Sequence, residues 1–356
     1  MCIYGTKGCG KSVLAGFINE RLRSQGKVTA LFSFWSGSES QRKLLDLLRT
    51  LLWNLLQKVP DNELSGILPL LMENHPPNES ALRNAIGTTI SLVRAAEIYC
   101  IVDGIDESAD DWTSSDRDSL GFVLQLARDN PELRILFLGR ESSVRTMTAT
   151  FPIRIEITEA LVRNDISELI RSELDRSLKI HTPEIKELVQ TTLQENSRMM
   201  FLWITLIFKE LSRCHLKSEI IRTLDHVPRD LDREYHRLFV RLLERLGGSS
   251  SNPSIPLQRA RRLLSLIIAA PEPLTCTELQ YAFAMSENPK EGFEEYLISN
   301  DGIMDSCGDL VQISEGRYHI VHASAVEFLT RTIDKWKFED EDSKFSLIPA
   351  FYLPVH

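Results

Sequence analysis

The chain has 356 residues, 43% hydrophobic and 26% charged, with a net charge of −9. That is the composition of a soluble globular protein long enough for two or three domains, and its acidic balance argues against nucleic acid as a sequence-independent partner. The six cysteines, at 2, 9, 100, 214, 276 and 307, include no C-x-x-C pair, so they give neither a zinc site nor a disulfide framework and fit a reducing cytoplasm. No segment approaches the ~20 apolar residues of a membrane helix; the longest run, 199–208, reads as a buried helix.

The chain opens on Cys2-Ile3-Tyr4, a short apolar run suited to a buried strand. Gly5-Thr6-Lys7-Gly8-Cys9-Gly10-Lys11-Ser12 follows and satisfies the phosphate-loop pattern G-x-x-x-x-G-K-[ST]. Val13, Leu14, Phe17, Ile18 and Leu22 then recur at helical spacing up to Gly26. Strand, glycine loop and helix is the context the pattern requires. The glycines let successive backbone N–H groups point inward at phosphates where a Cβ would block the approach, Lys11 adds a point charge, Ser12 offers a hydroxyl to Mg²⁺, and the helix N-terminus favours the anion. The nucleotide is therefore assigned to Gly5, Thr6, Lys7, Gly8, Cys9, Gly10, Lys11, Ser12 and the adjoining Val13. Four residues precede the loop, where a segment closing over an adenine base is expected, so the chain reads as a fragment.

Val28 to Trp35 is β-rich, with Ser36-Gly37-Ser38 as its exit turn, and eight leucines between Leu44 and Leu56 make a wide apolar helix face. Pro60 and 74–78 interrupt the helical tract, and Ala81 to Ala96 resumes it. Ile98 to Val102 is a continuous apolar run capped by Asp103, the signature of a central parallel strand with an acid at its C-terminal tip. A helix over Leu120 to Arg128, a strand from Leu133 to Leu138 ending in Gly139-Arg140, and a strand over Ile153 to Ile157 complete an alternation of strands and helices. The expected fold is α/β, a doubly wound parallel sheet whose ligands gather at the carboxyl ends of the strands.

From Leu161 the pattern is helical only, with candidate segments at 163–177, 183–195, 199–213, 216–226 and 230–246, the last two separated by Pro228. Gly247 to Pro253 is the clearest linker. Beyond it come a helix over Arg262 to Ala269, a capping box at Thr275-Cys276-Thr277-Glu278, and two alternating runs around Glu315-Gly316 that read as a hairpin. A last helix begins near His322, and the tail after Trp336 is charged. Helices followed by a hairpin fit a winged-helix module. The expected division is 1–158 for the phosphate-loop domain, 159–247 for a helical domain, 248–256 for a linker, 257–334 for a winged-helix-like domain and 335–356 for the tail.

A phosphate loop hydrolyses only with a metal-positioning acid and a group that orients water. Asp103 supplies the first, sharing Mg²⁺ with Ser12, and Asp103-Gly104-Ile105-Asp106-Glu107 supplies candidates for the second, with Glu107 ahead of Asp106. Asp110, Asp111 and Asp116 read as a solvated face. Arg140, at the end of the neighbouring strand, suits a sensor of the γ-phosphate by charge-assisted hydrogen bonds.

This arrangement resembles the NACHT family of signal-transducing (STAND-class) P-loop NTPases, in particular its fungal branch of vegetative-incompatibility-like proteins. The carriers are Gly5 to Ser12, Phe32-Ser33-Phe34-Trp35, Ile101-Val102-Asp103-Gly104-Ile105-Asp106-Glu107, Met200-Phe201-Leu202-Trp203, Val227-Pro228-Arg229-Asp230-Leu231 through Tyr235, Pro273-Leu274-Thr275, and Ile320-Val321-His322-Ala323-Ser324 through Glu327-Phe328-Leu329. The resemblance implies an ATP/ADP switch with Mg²⁺ and slow hydrolysis, an ADP-bound closed state contacted by His322, self-association into a homo-oligomer after exchange for ATP, and an effector protein as partner. Family members usually carry Ser or Thr before the sensor arginine and Pro after it; here these are Gly139 and Glu141. The competing reading is a non-catalytic interaction scaffold derived from such an NTPase. A small-molecule kinase is disfavoured because no arginine-rich lid pattern follows Val162.

Overall fold

The computed structural model describes residues 1–35, 41–72, 76–110, 119–143, 153–178, 182–197, 199–227, 231–246, 255–287 and 292–333. The exit turn expected at Ser36-Gly37-Ser38, the linker 247–253 and the tail after Trp336 lie outside these residues. The chain divides into two units, Met1–Val227 and Pro228–His356.

In the first unit, five parallel strands form one sheet: β1 (Cys2–Tyr4), β2 (Val28–Ser33), β3 (Ile98–Asp103), β4 (Leu133–Gly139) and β5 (Arg154–Glu156), in the order β2-β3-β4-β1-β5. The three central strands bury most of their side chains, which is why they read as apolar runs, broken only by the exposed Arg134 of β4. Register sets the strand tips level: Tyr4 pairs with Gly139 and Glu156, while Val102 and Cys2 both pair with Phe137.

Helix α1 (Lys11–Ser24) packs against β2, β3 and β4. Its expected apolar stripe is corrected in part: Ala15 is buried, but Val13 and Phe17, one turn apart on the opposite face, are 77% and 61% exposed. In α2 (Leu44–Leu56) the leucine face behaves as expected, with Leu44, Leu47, Leu48, Leu51, Leu52 and Leu55 buried against β2 and α4. Two helices follow, the short α3 (Leu68–Met72) and α4 (Glu79–Val93), the latter capped by Asn78, whose Oδ1 accepts the Ala81 N–H at 2.9 Å. Next, α5 (Ser119–Asp129) packs on β4 and α4.

Four helices complete this unit: α6 (Glu159–Ser177), α7 (Pro183–Asn196), α8 (Phe201–Leu211) and α9 (Lys217–Asp225). Their core is Ile166, Ile170 and Leu174 of α6, Val189 and Leu193 of α7, and a fully buried Trp203 with Ile204 and Ile207 of α8.

The second unit contains α10 (Leu231–Arg245), α11 (Ile255–Ala269), α12 (Cys276–Ser286), α13 (Asn300–Cys307), the hairpin β6 (Val311–Ser314) and β7 (Arg317–Ile320), and α14 (Ala323–Ile333). Both capping-box bonds form: Thr275 Oγ1 accepts from Glu278 N–H and Glu278 Oε2 from Thr275 N–H. The hairpin is antiparallel and turns at Glu315 and Gly316, both at positive φ (52° and 73°), as a two-residue type I′ turn demands. Helix α10 packs against α14 within this unit, so the last helix of the 159–247 segment shares its core with the winged-helix elements.

Beyond β3, Gly104 adopts φ 69°, and a Cβ there would stand 2.7 Å from the carbonyl oxygen of Phe34. The close approach ties the exit of β2 to the tip of β3, where Phe34 N–H also donates to Asp103 O at 2.9 Å. Gly104→Ala is expected to cost about 2 kcal/mol or more in urea denaturation of the full chain. Gly316→Ala, at positive φ with open space around it, is expected to cost only about 1 kcal/mol. Equal midpoints for the two variants would show that the Phe34 contact is not confining.

Candidate functional site

The glycine loop leaves β1 at Gly5 and enters α1 at Lys11. Its backbone curls through left-handed conformations at Gly8 (φ 72°) and Gly10 (φ 87°), which L side chains adopt only with strain. Gly5 is needed for a different reason: a Cβ there would sit 2.8 Å from Cys9 Sγ and 3.1 Å from Ile157 Cβ. Lys11 Nζ donates to the carbonyls of Gly5 at 3.1 Å and Thr6 at 2.8 Å, so the ammonium is held over the loop it serves. Cys9 is buried beneath the loop, and burial pushes its thiol up against the opposing pull of Lys11.

Asp103 ends β3 and is 4% exposed. Its carboxyl is raised above the ordinary aspartate value, first by burial, against the hydrogen bond from Ser12, the charge of Lys11 and a backbone bond from Gly104. Ser12, at the start of α1, and Asp103, at the tip of β3, are thus neighbours at the same end of the sheet. Both are hard oxygen donors, the type Mg²⁺ takes, and Mg²⁺ keeps several positions for water and phosphate oxygens. Among the described residues no group of three His, Cys, Asp or Glu is placed to hold a metal.

After Gly104 a single 3₁₀ turn, Ile105–Glu107, buries Ile105 as its anchor. Asp106 faces the neighbouring strand tip: its Oδ1 accepts Arg140 N–H at 3.0 Å and its Oδ2 lies 2.7 Å from Arg140 Nε. Backbone and side chain of Arg140 are therefore fixed together by one carboxylate, a charge-assisted two-point contact. Glu107 is half-buried, and its N–H donates to Gly104 O at 2.7 Å. The structure brings Lys11, Ser12, Asp103, Asp106, Glu107 and Arg140 to one end of the sheet. Asp110 is corrected from a solvated face to a helix cap, since its Oδ2 accepts the Leu44 N–H at the start of α2. Asp111 and Asp116 lie outside the described residues. His322 lies in the second unit, between β7 and α14.

One contact has no counterpart in the pattern reading. The start of α8 meets the glycine loop: Leu202 N–H donates to Gly8 O at 3.4 Å, and a Cβ at Gly10 would stand 3.3 Å from the Phe201 ring. Met200-Phe201-Leu202-Trp203 was legible as a buried helix start; that its first aromatic ring packs on the loop depends on tertiary folding.

Residues 1–140 match the family described as Nephrocystin 3, N-terminal, and residues 254–347 match the winged helix domain of GPI inositol-deacylase. The vegetative incompatibility protein HET-E-1 of Podospora anserina is 22% identical over 374 residues, an alignment covering 97% of this chain and 25% of the relative. The chain thus spans about a quarter of the length of that curated relative. Among solved structures, the Walker-type ATPase paby2304 of Pyrococcus abyssi is 12% identical at TM-score 0.39, covering 93% of this chain and 90% of that one. AMPPCP-bound DnaA of Aquifex aeolicus is 11% identical at TM-score 0.36, covering 96% and 83%. Likenesses this distant carry no argument about function. In its phosphate loop, its acid-tipped central strand, its sheet order and the sequence matches at both ends, the chain is similar to NACHT-type P-loop NTPases of the signal-transducing class.

Proposed function

We propose that the protein is a nucleotide-dependent signalling switch that binds ATP or ADP with Mg²⁺, hydrolyses ATP slowly, and uses the exchange to control opening and self-association. The observation that carries this reading is the glycine loop itself, curled through left-handed Gly8 and Gly10 with Lys11 held on its carbonyls, beside a buried Asp103 at the tip of β3. In this reading the N–H groups of 5–12 cradle the phosphates, Lys11 turns from the loop carbonyls toward them, and Val13 borders the nucleotide. Ser12 and Asp103 hold Mg²⁺, which when bound neutralises charge on the phosphate oxygens. Glu107 orients the attacking water. Asp106 holds Arg140 in place to meet the γ-phosphate, and His322 takes the diphosphate contact of the ADP state. Moving such a switch from 1:99 to 99:1 takes about 5.5 kcal/mol of differential binding, a difference that charge-assisted contacts of Arg140 and His322 to different phosphates can supply. A cytoplasmic setting suits free cysteines and bulk adenine nucleotide, and no helix among the described residues is long and apolar enough to cross a membrane. The partners in this reading are adenine nucleotide, further copies of the chain and an effector protein.

The test is the nucleotide carried by freshly purified protein, measured beside turnover with Mg²⁺; about one ADP per chain and slow phosphate release are expected. Lys11→Ala is expected to weaken nucleotide binding roughly a hundredfold, the loss of charge-assisted hydrogen bonds, and stoichiometric ADP in the purified variant would refute the assignment. Glu107→Gln is expected to lower turnover about a hundredfold or more while binding persists. If wild type and Glu107→Gln release phosphate equally, the interaction-scaffold reading takes its place.

Asp103 adds a prediction in pH. Its folded-state pKa is raised, so the folded protein holds that proton more tightly than the unfolded chain does, and stability from this group is lost as pH rises through the raised value. At neutral pH the buried carboxylate therefore costs stability. Asp103→Asn is expected to abolish Mg²⁺-dependent turnover yet raise the melting temperature of nucleotide-free protein by a few degrees at pH 7, an advantage that fades below about pH 4. A variant melting below wild type at pH 7 would contradict the burial argument.

A further inference from the structure

His322 does not stand alone. Its Nδ1 accepts the backbone N–H of Ser324 at 3.1 Å, and the Ser324 hydroxyl lies 2.8 Å from the same nitrogen. That hydroxyl in turn lies 2.9 Å from the phenol oxygen of Tyr235, 89 positions earlier in the chain, on α10. Tyr235 and Ser324 are both fully buried, and Tyr235 is seated by aromatic packing, its ring centroid 5.8 Å from that of Phe328, which also meets Phe239 at 6.4 Å. All of these residues belong to the second unit. Tyr235 comes from outside the segment that matches the winged-helix family, which begins at 254.

The directions of the bonds follow from what each group can do. A main-chain N–H can only donate, so Nδ1 of His322 must carry its lone pair, and the proton of the neutral ring sits on Nε2. The Ser324 hydroxyl has one proton. It donates to Nδ1, which leaves its oxygen to accept from Tyr235. The phenol is suited to donate, since burial pushes its pKa up to about 12 and keeps its proton in place.

We propose that Tyr235 and Ser324 are positioning residues for His322: the Ser324 main-chain N–H sets the Nε2–H tautomer, and the buried Ser324 and Tyr235 hydroxyls, the latter from α10, hold the ring in place, so that it meets a phosphate oxygen of a nucleoside diphosphate as a hydrogen-bond donor. This rests on the nucleotide-switch reading for the identity of the acceptor, while the tautomer and its cause stand on the second unit alone. A ring in the other tautomer would turn a lone pair toward the anion and repel it. The relay also makes the seating of α10 a condition for a competent histidine.

The test uses the full chain with ¹⁵N-labelled histidine, His322 being assigned by its loss in His322→Gln. Two-bond ¹H–¹⁵N correlations read the tautomer directly, a signature that a merely structural role would not move. Wild type is expected to show the Nε2–H form. Both Ser324→Ala and the near-isosteric Tyr235→Phe are expected to keep that tautomer, which the main-chain N–H sets, but to move the Nδ1 resonance toward that of a nitrogen accepting fewer hydrogen bonds, and Ser324→Thr, which keeps the hydroxyl, to restore it. Release of a fluorescent ADP analogue is expected to accelerate about fivefold in Ser324→Ala and Tyr235→Phe, the loss of one hydrogen bond. If Ser324→Ala does not fold, Tyr235→Phe carries the measurement, with its near-ultraviolet dichroism confirming native packing. A wild-type ring in the Nδ1–H form, or one whose Nδ1 resonance is unmoved by both variants, overturns the proposal. If the Nδ1 resonance shifts but neither these variants nor His322→Ala change ADP release, the positioning is upheld and the phosphate contact is what fails.

Discussion

The register of the parallel sheet is the constraint on which the site depends. Because Tyr4 pairs with Gly139, and Val102 and Cys2 flank Phe137, the chain leaves β1, β3 and β4 at nearly the same height. Every group assigned to phosphate or metal in the first unit sits at one of those three exits or follows it, directly or across the glycine loop into the start of α1. A slip of one residue in β3 would turn Asp103 to the other face of the sheet and separate it from Ser12. The apolar side chains that fix this register, Ile101, Val102, Phe137 and Leu138, are at most 1% exposed, so the chemistry at the tips is set by packing below them.

That packing has a consequence for the charged groups above it. Asp103 is close enough to the core to be raised by burial, while Ser12, Lys11 and a backbone N–H oppose the shift. The carboxylate is thus held where a folding optimum would not put it, as is common where a group serves a ligand. Asp106 is placed differently. Its two oxygens are matched to the N–H and Nε of Arg140, so the acid that follows the metal acid in sequence organises the neighbouring strand tip.

Each unit also reaches beyond its own motif. In the first, the start of α8 packs its Phe201 ring on Gly10 and its Leu202 N–H on Gly8 O, so displacement of the glycine loop is felt directly by the helices that follow the sheet. In the second, α10 supplies the phenol that seats Ser324 and through it His322. In both cases a helix outside the recognisable motif braces a residue of the motif.

The sequence by itself determined the elements and the chemistry. Apolar runs ending in Gly5, Asp103 and Gly139-Arg140 read as buried parallel strands with polar tips, the leucine spacing of 44–56 reads as a helix face, and the Glu315-Gly316 turn and the Thr275-Glu278 box are local bonds that need no tertiary partner. What the tertiary structure decided is which side chains meet across the chain: that Asp106 belongs to Arg140, that Asp110 caps α2, that Val13 and Phe17 lie on the outer face of α1, and that Phe201 and Tyr235 brace a loop and a histidine far from them in sequence. The physical reason is range. Periodicity and capping are fixed by neighbours within a turn or two, whereas a contact such as Tyr235 to Ser324, 89 residues apart, leaves no local trace and exists only once both helices are packed.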